Sequence, residues 1–275
     1  MDRALTRTEK AGVGLIALST VGVLAALLVH GPIPQSASYH AFADNRTLAG
    51  IPNFADVVSN LFYVLVGVLG LYKMSVSGTL RIVDENKAGY QVFFAGVALV
   101  GLGSGYYHLV PTNATLVWDR IPMTVAFMAL FSIIVSEFVS IRSGVKLLVP
   151  LVAAGILSVV YWYWTEAAGR GDLRPYILVQ FLPMVVIPVI LVCFPSVFTR
   201  VSGYWWLLAA YVLAKLFEHF DREIFGILGF VSGHTLKHLA SAVGVYILLV
   251  SYSRRCSVKK TPHKLTSRLV LSSPG

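Results

Sequence analysis

Of the 275 residues, 56% are hydrophobic and only 13% charged, and the mean hydropathy is +0.74. A soluble domain carries about 25% charged residues, so a soluble enzyme is excluded and an all-α polytopic membrane protein is expected. Two cysteines, Cys193 in an apolar run and Cys256 in a basic tail, exclude a disulfide framework and a cysteine-based zinc site.

The apolar runs are about 20 residues long and do not alternate, so the spans are helices whose backbones satisfy themselves. Residues 1–11 hold Arg3, Arg7 and Lys10, and an apolar run follows from Ala11 to Val29. That run exceeds the roughly 7–15 residues of a signal-peptide core, so residues 1–30 are expected to be a cytoplasmic stub and an uncleaved anchor helix. Residues 31–52 form a polar loop. Seven more spans are predicted over 53–74, 90–111, 119–140, 146–165, 174–195, 203–220 and 230–252, within one membrane domain covering 31–253. The tail, 254–275, is basic and rich in Ser and Thr, a composition expected to be disordered or to lie on anionic lipid.

Eight spans put both termini on one side. The loops of that side carry fifteen Lys and Arg, against five on the other, while Lys215 and Lys237 fall inside spans. Positive charge marks the cytoplasmic face, so both termini are expected there, with loops 31–52, 112–118, 166–173 and 221–229 facing outward. The net charge of +9 is then an orientation signal, and no nucleic-acid partner is expected.

The last span opens on His234 and His238. Four residues apart on a helix, the two imidazoles stack on one face. Two neutral imidazoles are half of a common zinc site, and ionisable groups inside spans are rare and usually functional. A third ligand is available, because His108 ends the span over 90–111 on the same side. Asp119 opens the next span there, and Ser104 lies one turn deeper than His108 on the same face. Three imidazoles leave zinc its charge and an open position, where water ionises near neutral pH. A carboxylate such as Asp119 can take a proton from that water, and a hydroxyl such as Ser104 can donate to a developing oxyanion. Each has a plainer reading. Asp119 could be a helix cap or a partner for Arg120, and Ser104 a small residue at a helix contact.

The set S-x₃-H, an Asp eleven residues after that His, and a late H-x₃-H resembles the alkaline ceramidase family. That family belongs to the CREST superfamily of seven-helix zinc hydrolases, which includes the adiponectin receptors. The stretch Asp56-Val-Val-Ser59-Asn60 also resembles the family's first core helix, and the likeness spans about residues 40 to 245. It implies a seven-helix bundle plus one added N-terminal transmembrane helix, zinc on His108, His234 and His238, and catalytic roles for Ser104 and Asp119. The implied reaction is hydrolysis of the N-acyl bond of a ceramide-like lipid. Eukaryotic ceramidases also carry an acidic calcium pocket before the first core helix. The corresponding residues here, Asp44, Asn45, Asn53 and Asp56, offer fewer carboxylates.

Among the other polar residues, Tyr176 and Gln180 share a helix face and either line a lipid cavity or pack. Glu218, His219 and Asp221 either support the site or are interfacial, and His30 and His40 are expected in solvent. A receptor with a structural zinc, or a transporter, are the competing functions. Structural zinc is usually closed by four protein ligands, and transporter sites tend toward the midplane.

Overall fold

A computed structural model describes residues 4–258. The described residues form helices joined by short loops, with two isolated backbone bridges and no strand. Helix α1 spans Arg7–His30. It opens on a capping box in which the Thr6 side chain accepts from Glu9 N and the Glu9 carboxylate accepts from Thr6 N. Gly31 ends it at φ 79°, a backbone conformation that favours glycine.

The predicted span over 53–74 is two helices, α2 (Phe54–Ser59) and α3 (Leu61–Ser75). The break at Asn60 has a local cause. Ser59 Oγ and Asn60 Nδ2 both donate to the Asp56 carbonyl, a competition that bends helices. Helix α4 spans Lys87–Leu109 and α5 spans Asn113–Ile134. The start of α5 lies six residues earlier than predicted, because Thr112 and Thr115 form a capping box there. Asp119 is therefore one and a half turns inside the helix and is not its cap. A single π turn, Val135–Val139, finishes α5. Helices α6 (Ile141–Ala167), α7 (Arg174–Cys193) and α8 (Ser202–His219) follow. A short α9 (Asp221–Leu228) fills what was predicted as a loop, and α10 spans Gly233–Arg254.

Seven spans suit a membrane crossing by length and composition, the N-terminal helix among them, with α2 and α3 together making one. Helix α8, the remaining predicted span, is not among the seven: Lys215, Glu218 and His219 lower its hydropathy. It nevertheless runs antiparallel to α10 along its length. Gly203 lies against Ser251, Gly244 against Ala210, and Gly233 against Phe217. Helix α1 stays mostly exposed and packs on α7, with Gly12 against Cys193 and Phe194.

The loops gather at two ends of the bundle. At one end, Leu173 N donates to Ile33 O, Ala43 N to Asp221 Oδ2 and Asn53 Nδ2 to His108 O. At the other, Arg81 N donates to Tyr252 O and Thr199 N to Cys256 O. This second end is closed by a buried ion pair. Arg255 donates from Nη1 and Nη2 to Glu137 at 2.8 and 2.6 Å, and its Nε donates to Arg81 O. The Tyr90 hydroxyl also donates to Glu137. Arg255 was expected in a solvated tail; it is 2% exposed. Residues 259–275, which carry most of the expected lipid-binding tail, lie outside the described residues.

Candidate metal centre and lipid cavity

Three imidazoles converge at the loop end that holds Ile33, Ala43 and Asn53. His108 comes from the last turn of α4, and His234 and His238 from the first two turns of α10. All three are buried, and one nitrogen from each lies within 4.8 Å of those of the others. The ring centroids are 4.8 to 5.0 Å apart. Among the described residues this is the one group of three or more His, Cys, Asp or Glu side chains placed to share a metal ion.

Two observations bear on whether the group fits a metal. His108 Nδ1 and His234 Nε2 are buried with no hydrogen-bond partner among the described residues, which a protein interior rarely tolerates without a ligand. The third ring has its tautomer set from behind. Ser59 Oγ lies 2.8 Å from His238 Nδ1, and the single Ser59 proton goes to the Asp56 carbonyl. Ser59 therefore accepts from His238 Nδ1–H, which leaves the Nε2 lone pair for a ligand. A histidine held by its other nitrogen is the usual support of a metal-binding imidazole. A set of three neutral imidazoles suits zinc.

Other contacts hold the cluster in place. Asp221 Oδ1 accepts from His234 N at 2.7 Å, and its Oδ2 accepts from Ala43 N at 3.0 Å. One carboxylate thus ties the start of α10 to the loop that precedes α2. That loop sets the Phe42 ring 4.5 Å from His108 and 4.8 Å from His234. Asp221 is therefore part of the support of the site.

A cavity of about 430 Å³ lies beside the cluster, and Ser104, Asp119 and His238 all line it. The Ser104 hydroxyl faces the Asp119 carboxyl group across the α4–α5 contact. That contact is close for a reason legible in the chain. Pro122 has no N–H to offer the carbonyl of Trp118 four residues back. That carbonyl abuts Gly103, where any Cβ would overlap it. The deeper walls are apolar and include Phe93, Leu130, Ile134 and Ile187. Phe93 is fifteen residues before His108 on α4, about 22 Å along the axis, so the cavity runs far into the bundle. Tyr176 and Gln180 both line it.

The remaining sequence candidates fall as follows. Asp44 is bound by Arg46 through Nε at 2.8 Å and Nη2 at 2.7 Å, and those hydrogen bonds hold its carboxyl below its usual range. Asp56 accepts from Thr235 Oγ1 at 2.6 Å, and Asn53 donates to His108 O. Asn45 lies with Asn53 beside a separate surface hollow. Asp44 is thus fully engaged, whereas Asp56 is engaged through Oδ1 alone, its Oδ2 having no hydrogen-bond partner among the described residues. His40, expected in solvent, is half-buried, with Nδ1 2.9 Å from Tyr107 Oη and Nε2 3.0 Å from Asn113 Oδ1. Glu218 accepts from Lys215 at 2.6 Å and Lys237 at 3.0 Å, and all three line the cavity. His219 packs on Phe220, and His30 is exposed at the end of α1.

From sequence, Arg120 has a role only as a partner for Asp119. It hydrogen-bonds Gln35 Oε1 at 2.6 Å instead and lines the cavity. A charged residue inside an apolar run was the available signal. Phe42 had none, since nothing in a polar loop marks which residue folds back.

No curated protein matches the chain. A family model described as Ceramidase matches residues 46–271, which takes in α2 to α10 and all three histidines. Membership implies an amide hydrolase with a lipid substrate. A helical protein with seven candidate spans among the described residues and three converging imidazoles beside a deep apolar cavity accords with that match over most of its length, and the chain belongs to the ceramidase family.

Proposed function

We propose that this protein is a zinc-dependent intramembrane amidase that hydrolyses the N-acyl bond of ceramide-like lipids to a fatty acid and a sphingoid-type amine. The observation that carries the reading is the convergence of three buried imidazoles beside a cavity lined by Ser104 and Asp119. His108, His234 and His238 would hold the metal. A zinc ion on three histidines supplies Lewis acidity and a water nucleophile available near neutral pH.

The chain's own residues do the rest. The apolar walls around Phe93, Leu130 and Ile187 take the acyl chain, which sets the amide at the level of Ser104 and Asp119. The Asp119 carboxylate accepts the proton that the attacking water loses. Ser104 Oγ donates to the carbonyl oxygen as it gains negative charge. As the C–N bond breaks, the proton held on Asp119 passes to the leaving nitrogen, which departs as an amine while the acyl carbon keeps the water oxygen. The Ser59–His238 hydrogen bond and the Asp221 contacts keep the imidazoles in register.

The catalytic domain is 31–253, with α1 as an added anchor. With α8 crossing beside α10 as an eighth span, both termini face the cytoplasm, from the distribution of Lys and Arg, and the site lies toward the extracytoplasmic side. Reporter fusions after Gly275 and within 31–52 are expected to report opposite compartments, and equal signals would refute that orientation.

The deciding experiment incubates purified protein with a panel of N-acyl lipids, with and without chelator, and measures released fatty acid. Chelator-sensitive release is expected, and zinc content of His234→Ala and His238→Ala is expected to fall well below one per chain. Full occupancy in both variants would remove the metal site. Absence of release from the whole panel would favour a receptor with a structural zinc.

A further inference from the structure

Arg120 is 3% exposed and lines the cavity next to Asp119. Its guanidinium is surrounded by aromatic rings, with Cζ 4.2 Å from the Trp162 centroid, 4.6 Å from Tyr176 and 5.4 Å from Tyr39. These rings stabilise the cation through their π faces. They do not accept hydrogen bonds as an oxygen does, and among the described residues the only oxygen bonded to the group is Gln35 Oε1, on Nη2. The Nε and Nη1 groups are buried with no hydrogen-bond partner among those residues.

Such an arrangement is costly as a purely structural device. A guanidinium is a rigid fork of five donors that matches an oxyanion. Here the group is desolvated, fixed by Gln35 and the three rings, and left with donors free. The remaining charges at this end of the cavity point the same way. Lys215 and Lys237 share the single Glu218, so with Arg120 and Asp119 the cations outnumber the anions by three to two.

Position identifies which part of a substrate meets this group. The acyl chain requires the apolar walls that run inward from Ser104. Arg120, Gln35 and Tyr39 lie at the opposite, loop end, where the amine-side part of an N-acyl lipid would sit.

We propose that Arg120 is a specificity-determining residue that binds an oxyanion on the amine side of the substrate, so that the favoured lipids are ceramide-like lipids with an acidic headgroup. The inference rests on the amidase reading above and narrows its substrate class. A carboxylate and a phosphate share the required chemistry, and the test separates them.

Three lipids with one acyl chain and one sphingoid base are compared on the zinc-loaded protein in mixed micelles: the 1-hemisuccinate of N-hexadecanoylsphingosine, N-hexadecanoylsphingosine 1-phosphate and neutral N-hexadecanoylsphingosine. Release of hexadecanoate gives kcat/KM for each. Equilibrium binding of the same lipids to Asp119→Asn protein gives a second reading that does not depend on turnover. At least one acidic lipid is expected to exceed the neutral one about 10- to 100-fold, the range of a charge-assisted hydrogen bond. The better of the two identifies the oxyanion. In Arg120→Met the acidic-to-neutral ratio is expected to collapse toward one, and Arg120→Lys is expected to restore part of it.

Equal handling of acidic and neutral lipids by the wild-type chain would overturn the proposal without any variant, as would an undiminished ratio in a folded Arg120→Met protein. Hydrolysis of the neutral lipid alone would leave the amidase reading standing and remove this one. If no lipid is hydrolysed, the amidase reading fails, and the binding comparison still decides whether Arg120 selects an oxyanion.

Discussion

Asp119→Asn is the substitution that best separates chemistry from scaffolding. Asn has nearly the size of Asp, and Thr112, not Asp119, caps α5, so the helix keeps its start. The three imidazoles are untouched, and Asp119 is not one of the converging ligand group. What is lost is the ability to accept a proton at neutral pH. A positioned base contributes about 10²–10⁴ in rate, which corresponds to about 3–5.5 kcal/mol of barrier. Zinc content and thermal stability should stay near wild type. The structure adds a constraint, because Ser104 faces the Asp119 carboxyl group and groups that act as a unit are not additive. Ser104→Ala alone should cost about 10²–10³, the worth of an oxyanion donor. Ser104→Ala combined with Asp119→Asn should lose little more than Asp119→Asn alone. The assay is fatty-acid release per zinc-loaded molecule. A zinc-loaded Asp119→Asn protein with the wild-type rate would refute the assignment of Asp119 as the base.

Three further outcomes follow from individual contacts. Ser59→Ala removes the acceptor of His238 Nδ1–H and should weaken zinc binding about 10- to 100-fold, read by competition with a chromogenic chelator. Gly103→Ala drives a methyl into the Trp118 carbonyl and should destabilise by about 1–3 kcal/mol, whereas Gly14→Ala, which meets open space, should leave the melting temperature unchanged. Glu137→Gln leaves Arg255 buried without its counter-charge and should cost about 3–5 kcal/mol by thermal unfolding in detergent; an unchanged melting temperature would show that the pair does not hold this end together.

The fold was legible because membrane helices announce themselves by run length. The boundaries slipped where local hydrogen bonding overrides that signal, as with the Thr112 capping box and the break at Asn60. Helix α8 shows the limit in another form: length and composition leave it outside the apolar set, and its antiparallel contacts with α10 show where it runs. The three imidazoles could be assigned to one end of the bundle because spans alternate in direction, so residues far apart in sequence share a level. What counting spans cannot give is which side chains meet laterally. Ser59 behind His238, Asp221 behind His234, and Arg120 turned to Gln35 each depend on helix rotation and loop path, which no periodicity encodes.

The two ends of the bundle treat buried polarity in opposite ways. At the end closed by Glu137, both carboxylate oxygens are bonded by Arg255, which is bonded in turn to the Arg81 carbonyl. A charge pair satisfied to that degree fixes a structure and asks for nothing more. Eight buried side-chain polar atoms among the described residues lack a partner, and only Asn86 Oδ1 belongs to that end. The other seven, on Asp56, Asn60, His108, Arg120, Trp162 and His234, belong to the end that holds the imidazoles and the mouth of the cavity. Desolvating a polar group without a partner opposes folding, so such groups would be expected to scatter, or to vanish, if they had only a structural role. The four atoms on His108, His234 and Arg120 are the ones that a metal ion and an acidic lipid would satisfy. The same reasoning predicts the order of effects on loading the protein: zinc should quiet His108 and His234, and an acidic lipid should then engage Arg120, each raising the melting temperature separately.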